Sequence, residues 1–200
     1  MTNFIFQAAI DSLDSANAED PNKETAQGKE YPKELLYAQR MSEMQERYEP
    51  EASEAVKLAV RAQHIRRWKI PRSDYPMNKP GYMLWRTTLY KFHAETVGSI
   101  MGETGYDEEM VDRVKAIVGK KNLKTNPETQ MMEDVVNLVF LEHYISNFVD
   151  QHPEYDEEKW MLIIKKTWNK MSHRAHEFTL AGKIQLPEEL APLILKAVKS

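Results

Sequence analysis

The sequence predicts an all-α protein, a single-domain helical bundle over residues 1–200. Two observations carry that prediction. Only seven glycines occur in 200 residues, and no stretch alternates apolar and polar positions with β-branched side chains as a half-buried strand would. Apolar residues instead recur three and four positions apart in one segment after another, the spacing that lines one face of a helix.

The elements follow in order. Residues 4–17 read as a first helix, with Phe6, Ile10 and Leu13 on one stripe. Residues 18–32 are polar and break the rhythm, so they read as a loop. Residues 32–48 form a second helix through Leu35, Leu36, Met41 and Met44. Pro50 suits a helix start, where a missing N–H is no loss, and opens a third helix ending near Trp68. Pro71, Pro76 and Pro80 then impose a long irregular connection. Residues 84–101 are a fourth helix. Asp107 caps a fifth, in which Met110, Val114, Ile117 and Val118 keep a 3.6-residue rhythm. The run Thr125-Asn126-Pro127-Glu128 starts a sixth that reaches about Val149. Helices over 156–173 and 188–199 complete the chain. The expected plan is an HD-like helical core over about 33–149 with extra N- and C-terminal helices, the latter over about 155–200. No internal repeat or low-complexity linker interrupts it.

Composition excludes several function classes. There are no cysteines, so disulfides, thiolate metal sites and cysteine nucleophiles are all absent, and a metal site would have to use His, Asp and Glu. The net charge of −4 argues against a general nucleic-acid coat, and no nucleic-acid partner is expected. The start, MTNFIFQAAIDSLDS, lacks the basic flank and long apolar core of a secretion signal. No run reaches the roughly 18–20 apolar residues that span a bilayer, so no membrane partner is expected and the cytoplasm is the expected compartment.

Phase then picks out polar residues on apolar stripes, which must find partners or cost stability. His64 shares a stripe with Val60 and Trp68, and His93 with Leu89, Val97 and Ile100. Asp134 lies with Leu138, Leu141, Ile145 and Phe148, with Glu133 at its shoulder, and Lys121 continues the stripe of Val114, Ile117 and Val118. Beside His64, the stretch RAQHIRRWKIPRSDYP sets Arg66, Arg67 and Arg72 among Trp68 and Tyr75, and GYMLWR adds Tyr82, Trp85 and Arg86. Guanidinium groups grip phosphate bidentately and stack on aromatic rings. This mixture fits a phosphate on a ring-bearing molecule, or else arginines paired with the acidic surplus on a solvated face. SANAEDP reads as a helix end and turn, with Asn17 and Asp20 making local bonds.

The order of these residues resembles the HD-domain metal-dependent phosphohydrolases over about 35–148. The carriers are Gln63-His64 ending one helix, His93 on the next, then GYDEEMVDRVKAIVGKK, then EDVVNLVF. More specifically, the chain is identified as a member of the family called domain of unknown function 4202. Its marks are AIDSLDSANAEDP, AVRAQHIRRWKIPRSDYP, GYMLWR, QMMEDVVNLVFLE and KTWNKMS, which together span nearly the full length. That membership brings no activity with it.

Against the HD pattern, Gln39 and Arg40 stand where a first histidine is expected, Gln63-His64 replaces His-Asp, and Lys121 (or Lys120, one residue earlier) replaces another histidine. A protonated ammonium cannot ligate a hard cation. The substitutions therefore point to a positively lined pocket for a small phosphorylated or nucleotide-like ligand, with no cofactor expected. In that reading His64 is the acid–base group and His93 and Asp134 position it or a water. Arg40, Gln63, Arg67, Arg72, Tyr82, Arg86, Lys121 and Glu133 line the ligand site. If the protein is an enzyme, it is a hydrolase acting on that phosphate. The alternatives are a divalent metal on His64, His93 and Asp134 with the chemistry of a phosphohydrolase, and a non-catalytic scaffold or regulatory protein. The oligomeric state stays open, a homodimer included.

Overall fold

The computed structural model describes residues 2–199. It is all-α, with ten helices among the described residues and one small hairpin. The chain divides into two compact units, residues 1–132 and 133–200.

In the first unit, α1 (Thr2–Ala18) is followed by a two-stranded antiparallel hairpin, β1 (Lys23–Ala26) and β2 (Lys29–Pro32). The sequence predicts a loop here. Gln27 and Gly28 both take positive φ, 51° and 74°, which closes a two-residue turn whose twist matches that of the strands. The strands KETA and KEYP have no apolar alternation, so nothing in their composition announces them.

Next come α2 (Lys33–Tyr48) and α3 (Glu54–Ala62). Helix α3 begins at Ser53, not at Pro50: the Ser53 hydroxyl accepts the Val56 N–H as an N-cap, and α3 ends at Ala62, short of the Trp68 that the periodicity implies. Short 3₁₀ turns at Arg67–Lys69 and Arg72–Asp74 carry the proline-rich connection. Helix α4 (Lys79–Glu103) starts earlier than expected because Asn78 caps it, its side chain accepting the Gly81 N–H, and Pro80 fits the first turn. Gly81 is required here, since a Cβ at this position would overlap the Pro76 carbonyl. Helix α5 (Glu108–Val118) is capped by Asp107 as predicted.

The fully buried side chains of this unit include Leu13, Met41, Met44, Leu58, Ile65, Met101 and Ile117. Helices α1, α2, α3, α4 and α5 pack around them. Full burial of a side chain of this size contributes about 1.5–3 kcal/mol. Arg61 of α3 locks onto Asp14 of α1 through two bonds of 2.6 Å.

Helix α6 (Pro127–Val139) crosses the boundary between the units. In the second unit the backbone loosens into a π-turn over Phe140–Tyr144 and resumes as α7 (Ile145–Asp150). Helix α8 (Glu157–Trp168) is shorter than predicted, because Asn169 ends it. Helix α9 (His173–Leu180), which the sequence reading omits, starts at an N-cap on Ser172, and α10 (Ala191–Lys199) packs against α8. Among the described residues no helix is long and apolar enough to cross a membrane.

Candidate functional site

The first unit gathers His64, His93, Arg67 and Arg72, with Gln63 buried as the C-cap of α3. His64 lies in the turn after α3, its ring stacked on Tyr37 of α2 at 4.1 Å between centroids and 14° between planes. Its Nδ1 is 3.2 Å from Glu34 Oε2, and its Nε2 is 3.2 Å from the Arg67 guanidinium. A guanidinium can only donate, so Nε2 must be the acceptor and Nδ1 must carry the proton. Burial holds His64 well below its ordinary range, and the positive charges of Arg67, Lys120, Lys33 and Arg86 add to the effect. The neutral His64 therefore meets Glu34 in a polar contact, not in an ion pair.

His93 lies on α4, its ring centroid 6.0 Å from that of His64. Its Nδ1–H donates to the Ile65 carbonyl at 2.8 Å, while its buried Nε2 has no hydrogen-bond partner among the described residues. Burial, reinforced by His64, pushes its pKa down to about 3.

Glu34 and Tyr37 escaped the sequence reading. Glu34 is the second residue of α2, where an acidic side chain normally faces solvent and complements the helix dipole. Here its side chain is only 9% exposed, and burial raises its pKa to about 7 against the opposing pull of Arg67. The signal was present: Glu34, Tyr37, Met41, Met44 and Tyr48 share one stripe of α2. Asp20 fixes this helix start, one oxygen accepting the Glu34 N–H at 3.0 Å and the other the Asn22 N–H and side-chain amide, each at 2.9 Å. Asn17 accepts the Arg66 N–H at 3.0 Å, where Arg66 has a φ of 50°. SANAEDP is thus the frame that holds α2 against the turn after α3.

Glu34 and Arg67, which both touch His64, also line a cleft of about 610 Å³. Lys23, Lys33, Arg67 and Arg72 line it together with Trp68, Trp85 and Glu34. The Arg67 guanidinium sits 4.8 Å from the centre of the Trp85 ring and that of Arg72 at 5.9 Å. Trp85 is pinned by its indole N–H to the Ile70 carbonyl at 2.9 Å. Arg72 also donates to the carbonyls of Tyr75 and Pro76 at 3.0 and 2.8 Å, so it braces the proline-rich loop as well as charging the cleft.

Other expected residues do not line this cleft. Arg86 donates to the Tyr90 hydroxyl and has its guanidinium 5.8 Å from the Tyr82 ring centre, and neither Arg86 nor Tyr82 lines this cleft. Arg40 pairs with Glu24 of β1, a partner supplied by the unforeseen hairpin. Lys121 does not continue the inward stripe: α5 has ended at Val118, and Lys121 is exposed. Lys120, at a φ of 54°, is the one whose charge reaches His64. Asp134 and Glu133 are buried in the second unit. There the two Asp134 oxygens accept the Ser172 N–H at 2.7 Å and the Ser172 hydroxyl at 2.6 Å, tying α6 to the start of α9. Among the described residues no group of three or more His, Asp or Glu is placed to hold a metal ion.

No curated protein and no solved structure matches this chain. The family model described as Domain of unknown function (DUF4202) matches residues 7–194. With nearly the whole chain inside that match, from α1 through the basic cleft to α10, the protein belongs to the DUF4202 family.

Proposed function

We propose that the basic cleft of the first unit binds a small phosphorylated ligand with an apolar or ring-bearing part. One observation carries the proposal: Lys23, Lys33, Arg67 and Arg72 line the same cleft as Trp68 and Trp85. Guanidinium offers phosphate two parallel donors, the lysines add point charges, and the indoles give a ring a flat surface.

A hydrolytic role, as in an HD-derived phosphohydrolase, extends this reading, and the fixed tautomer of His64 favours it. Arg67 now caps the His64 Nε2 lone pair with a neutral-acceptor bond. A phosphate competes for the same N–H groups with the stronger, charge-assisted bond. Drawing Arg67 toward phosphate frees Nε2 for acid–base work while the stack on Tyr37 keeps the ring oriented. The HD ancestry itself rests on helix order and on the positions of His64 and His93.

Thermal unfolding with inorganic phosphate tests the binding step. At a hundredfold excess over the dissociation constant the folded state gains about 2.7 kcal/mol. Arg67→Ala should lose most of the rise in melting temperature, and added salt should weaken it. A melting temperature indifferent to phosphate at low salt contradicts the proposal.

A further inference from the structure

The segment that walls the cleft with Arg72 and Trp85 also carries side chains that nothing in the fold covers. Every residue from 76 to 84 except Gly81 is exposed. Met77 is 80% exposed, Leu84 58%, Met83 52% and Tyr82 41%, and these four are half of the large apolar and aromatic side chains exposed among the described residues. A concentration of this kind marks an interaction surface. The tip is held in place: Asn78 accepts the Gly81 N–H at 2.9 Å, and Arg72 donates to the Pro76 carbonyl at 2.8 Å. It also borders the cleft, since the Tyr82 ring lies 5.9 Å from that of Trp85. Its stretch of chain is strongly basic. Between residues 67 and 91 stand Arg67, Lys69, Arg72, Lys79, Arg86 and Lys91 against Asp74 alone, in a protein whose net charge is −4. The guanidinium groups of Arg72 and Arg86 lie 6.0 and 5.8 Å from the centre of the Tyr82 ring. Their hydrogen bonds go to two carbonyls and a hydroxyl, which leaves both charges uncompensated.

We propose that this tip docks the protein on an anionic phospholipid surface, where Met77, Met83 and Leu84 enter the headgroup layer and the basic cleft takes a lipid phosphate. This rests on the phosphate reading above and names the source of the phosphate. Shape and charge select the occupant. Tyr82, Met83 and Leu84 are consecutive on α4, so they spread over roughly 200° of its circumference. A single flat protein face cannot cover all three, whereas a fluid layer closes around a projection. A second copy of the chain would set the same cations against each other. A nucleic acid would leave Met77, Met83 and Leu84 in water, and the buried Trp85 offers no open face for a base. Anionic lipid answers both features. Its charge attracts the basic residues, each worth about a fivefold gain in affinity, and its acyl boundary receives the apolar side chains. Such docking places side chains about 5–10 Å deep without crossing the bilayer, so it needs no spanning helix.

Flotation of the full chain with vesicles tests it, using phosphatidylcholine alone and phosphatidylcholine mixed with phosphatidic acid, alongside calorimetry with inorganic phosphate. The wild type should bind the anionic vesicles about tenfold or more tightly than the neutral ones, and salt should weaken that binding. Met83→Ser combined with Leu84→Ser should weaken vesicle binding about tenfold or more. The affinity of that variant for inorganic phosphate should not change, since neither side chain lines the cleft. The chain has no cysteine, so Met83→Cys and Glu103→Cys each give a single labelling site, toward the two ends of α4. An environment-sensitive dye should shift to the blue on anionic vesicles at position 83 and stay unchanged at 103. Vesicles left unbound while inorganic phosphate binds overturn the proposal and leave the phosphate reading standing, as does equal vesicle binding by the wild type and the double serine variant. Binding of a single-stranded oligonucleotide, or self-association, in place of vesicle binding overturns it in the same way and names the other occupant. Vesicle binding by a chain indifferent to inorganic phosphate overturns the placing of a lipid phosphate in the cleft. Failure of phosphate and vesicles alike overturns both readings.

Discussion

Two clefts of similar size open on the first unit, about 610 and 540 Å³, and they carry opposite charge. The basic cleft has been described. The acidic one is walled by Asp11, Glu19 and Glu103 with Arg66, and by the hydroxyls of Ser12, Ser15, Thr96 and Ser99. Its hydroxyls are already spent. Ser12, Ser15 and Thr96 each donate to a carbonyl four residues back in their own helix, and Ser99 donates to Glu103. The carboxylates are exposed to water, which satisfies them at no cost. Among the described residues Arg66 Nε lacks a hydrogen-bond partner, but that side chain is 36% exposed and its head pairs with Glu19. Beside the basic cleft the Glu34 carboxyl is nine-tenths buried against the neutral His64, and the Nε2 of His93, 6.0 Å from His64 between ring centroids, is buried with no hydrogen-bond partner among the described residues. Volume and charge count do not distinguish a ligand site from a surface hollow. The distinction lies in polar groups held away from water without their own partners.

That comparison can be broken at the backbone first. Gly81→Ala would drive a methyl group into the Pro76 carbonyl and push apart the loop that carries Arg72 and supports Trp85. We expect a loss of about 3 kcal/mol in denaturant unfolding, the upper range for overpacking. Phosphate binding should fail with it, while the acidic cleft, built on α1 and the far end of α4, keeps its shape.

The next effect is the pH dependence of stability. Glu34 has a folded pKa of about 7, above its unfolded 4.5, so the folded state holds the extra proton between those values. Its stabilising contribution is complete below pH 4.5 and is lost as pH rises through 7. His93, lowered from 6.5 to about 3, works the other way: the unfolded state holds the extra proton, and stability rises with pH across that window. The two slopes oppose one another between pH 4.5 and 6.5. Glu34→Gln removes one of them. Relative to wild type, the variant should gain on the order of 2 kcal/mol as pH is raised from 4.5 to 7.5. Parallel stability curves for the two proteins would show that Glu34 is not a buried titrating group.

The smallest effect belongs to the acidic cleft. Glu103→Gln removes an exposed carboxylate whose partner is Ser99 on the same helix. Unfolding free energy should stay within about 0.5 kcal/mol of wild type, and phosphate affinity should hardly move. A large loss in either would mean that the acidic cleft is also an organised site.

Much of the fold was legible, because helical periodicity and caps are local signals. Asp107 and Asn126 act at helix starts as expected, the former accepting the Met110 N–H and the latter the N–H groups of Glu128 and Thr129. His93 was found by phase on α4, whereas His64 was reached by extending the α3 rhythm past Ala62, where the helix has ended; the two rings lie 6.0 Å apart. The misses have physical reasons. Lys121 was placed by extending a periodicity past Val118, where the helix had already ended. Arg40 was placed in the pocket because its partner Glu24 sits on a hairpin held by turn geometry rather than by apolar side chains. Glu34 was passed over because a charge in a first helical turn is usually solvated. Its burial comes from tertiary packing against the turn after α3. Asp134 was read correctly as buried, but not that a serine 38 residues later would engage both its oxygens.

The most direct test is a side-chain NMR titration of the full chain with inorganic phosphate at low ionic strength, following the arginine Nε–H and indole N–H signals and the backbone amides. Signals of Arg67 and Trp85, with the amides of Lys33 and Glu34, should move together along one saturating curve. Signals of Ser12, Ser99 and Glu103 should stay in place. Shifts confined to the acidic cleft, or no saturable shift at Arg67, would contradict the assignment of the basic cleft as the ligand site.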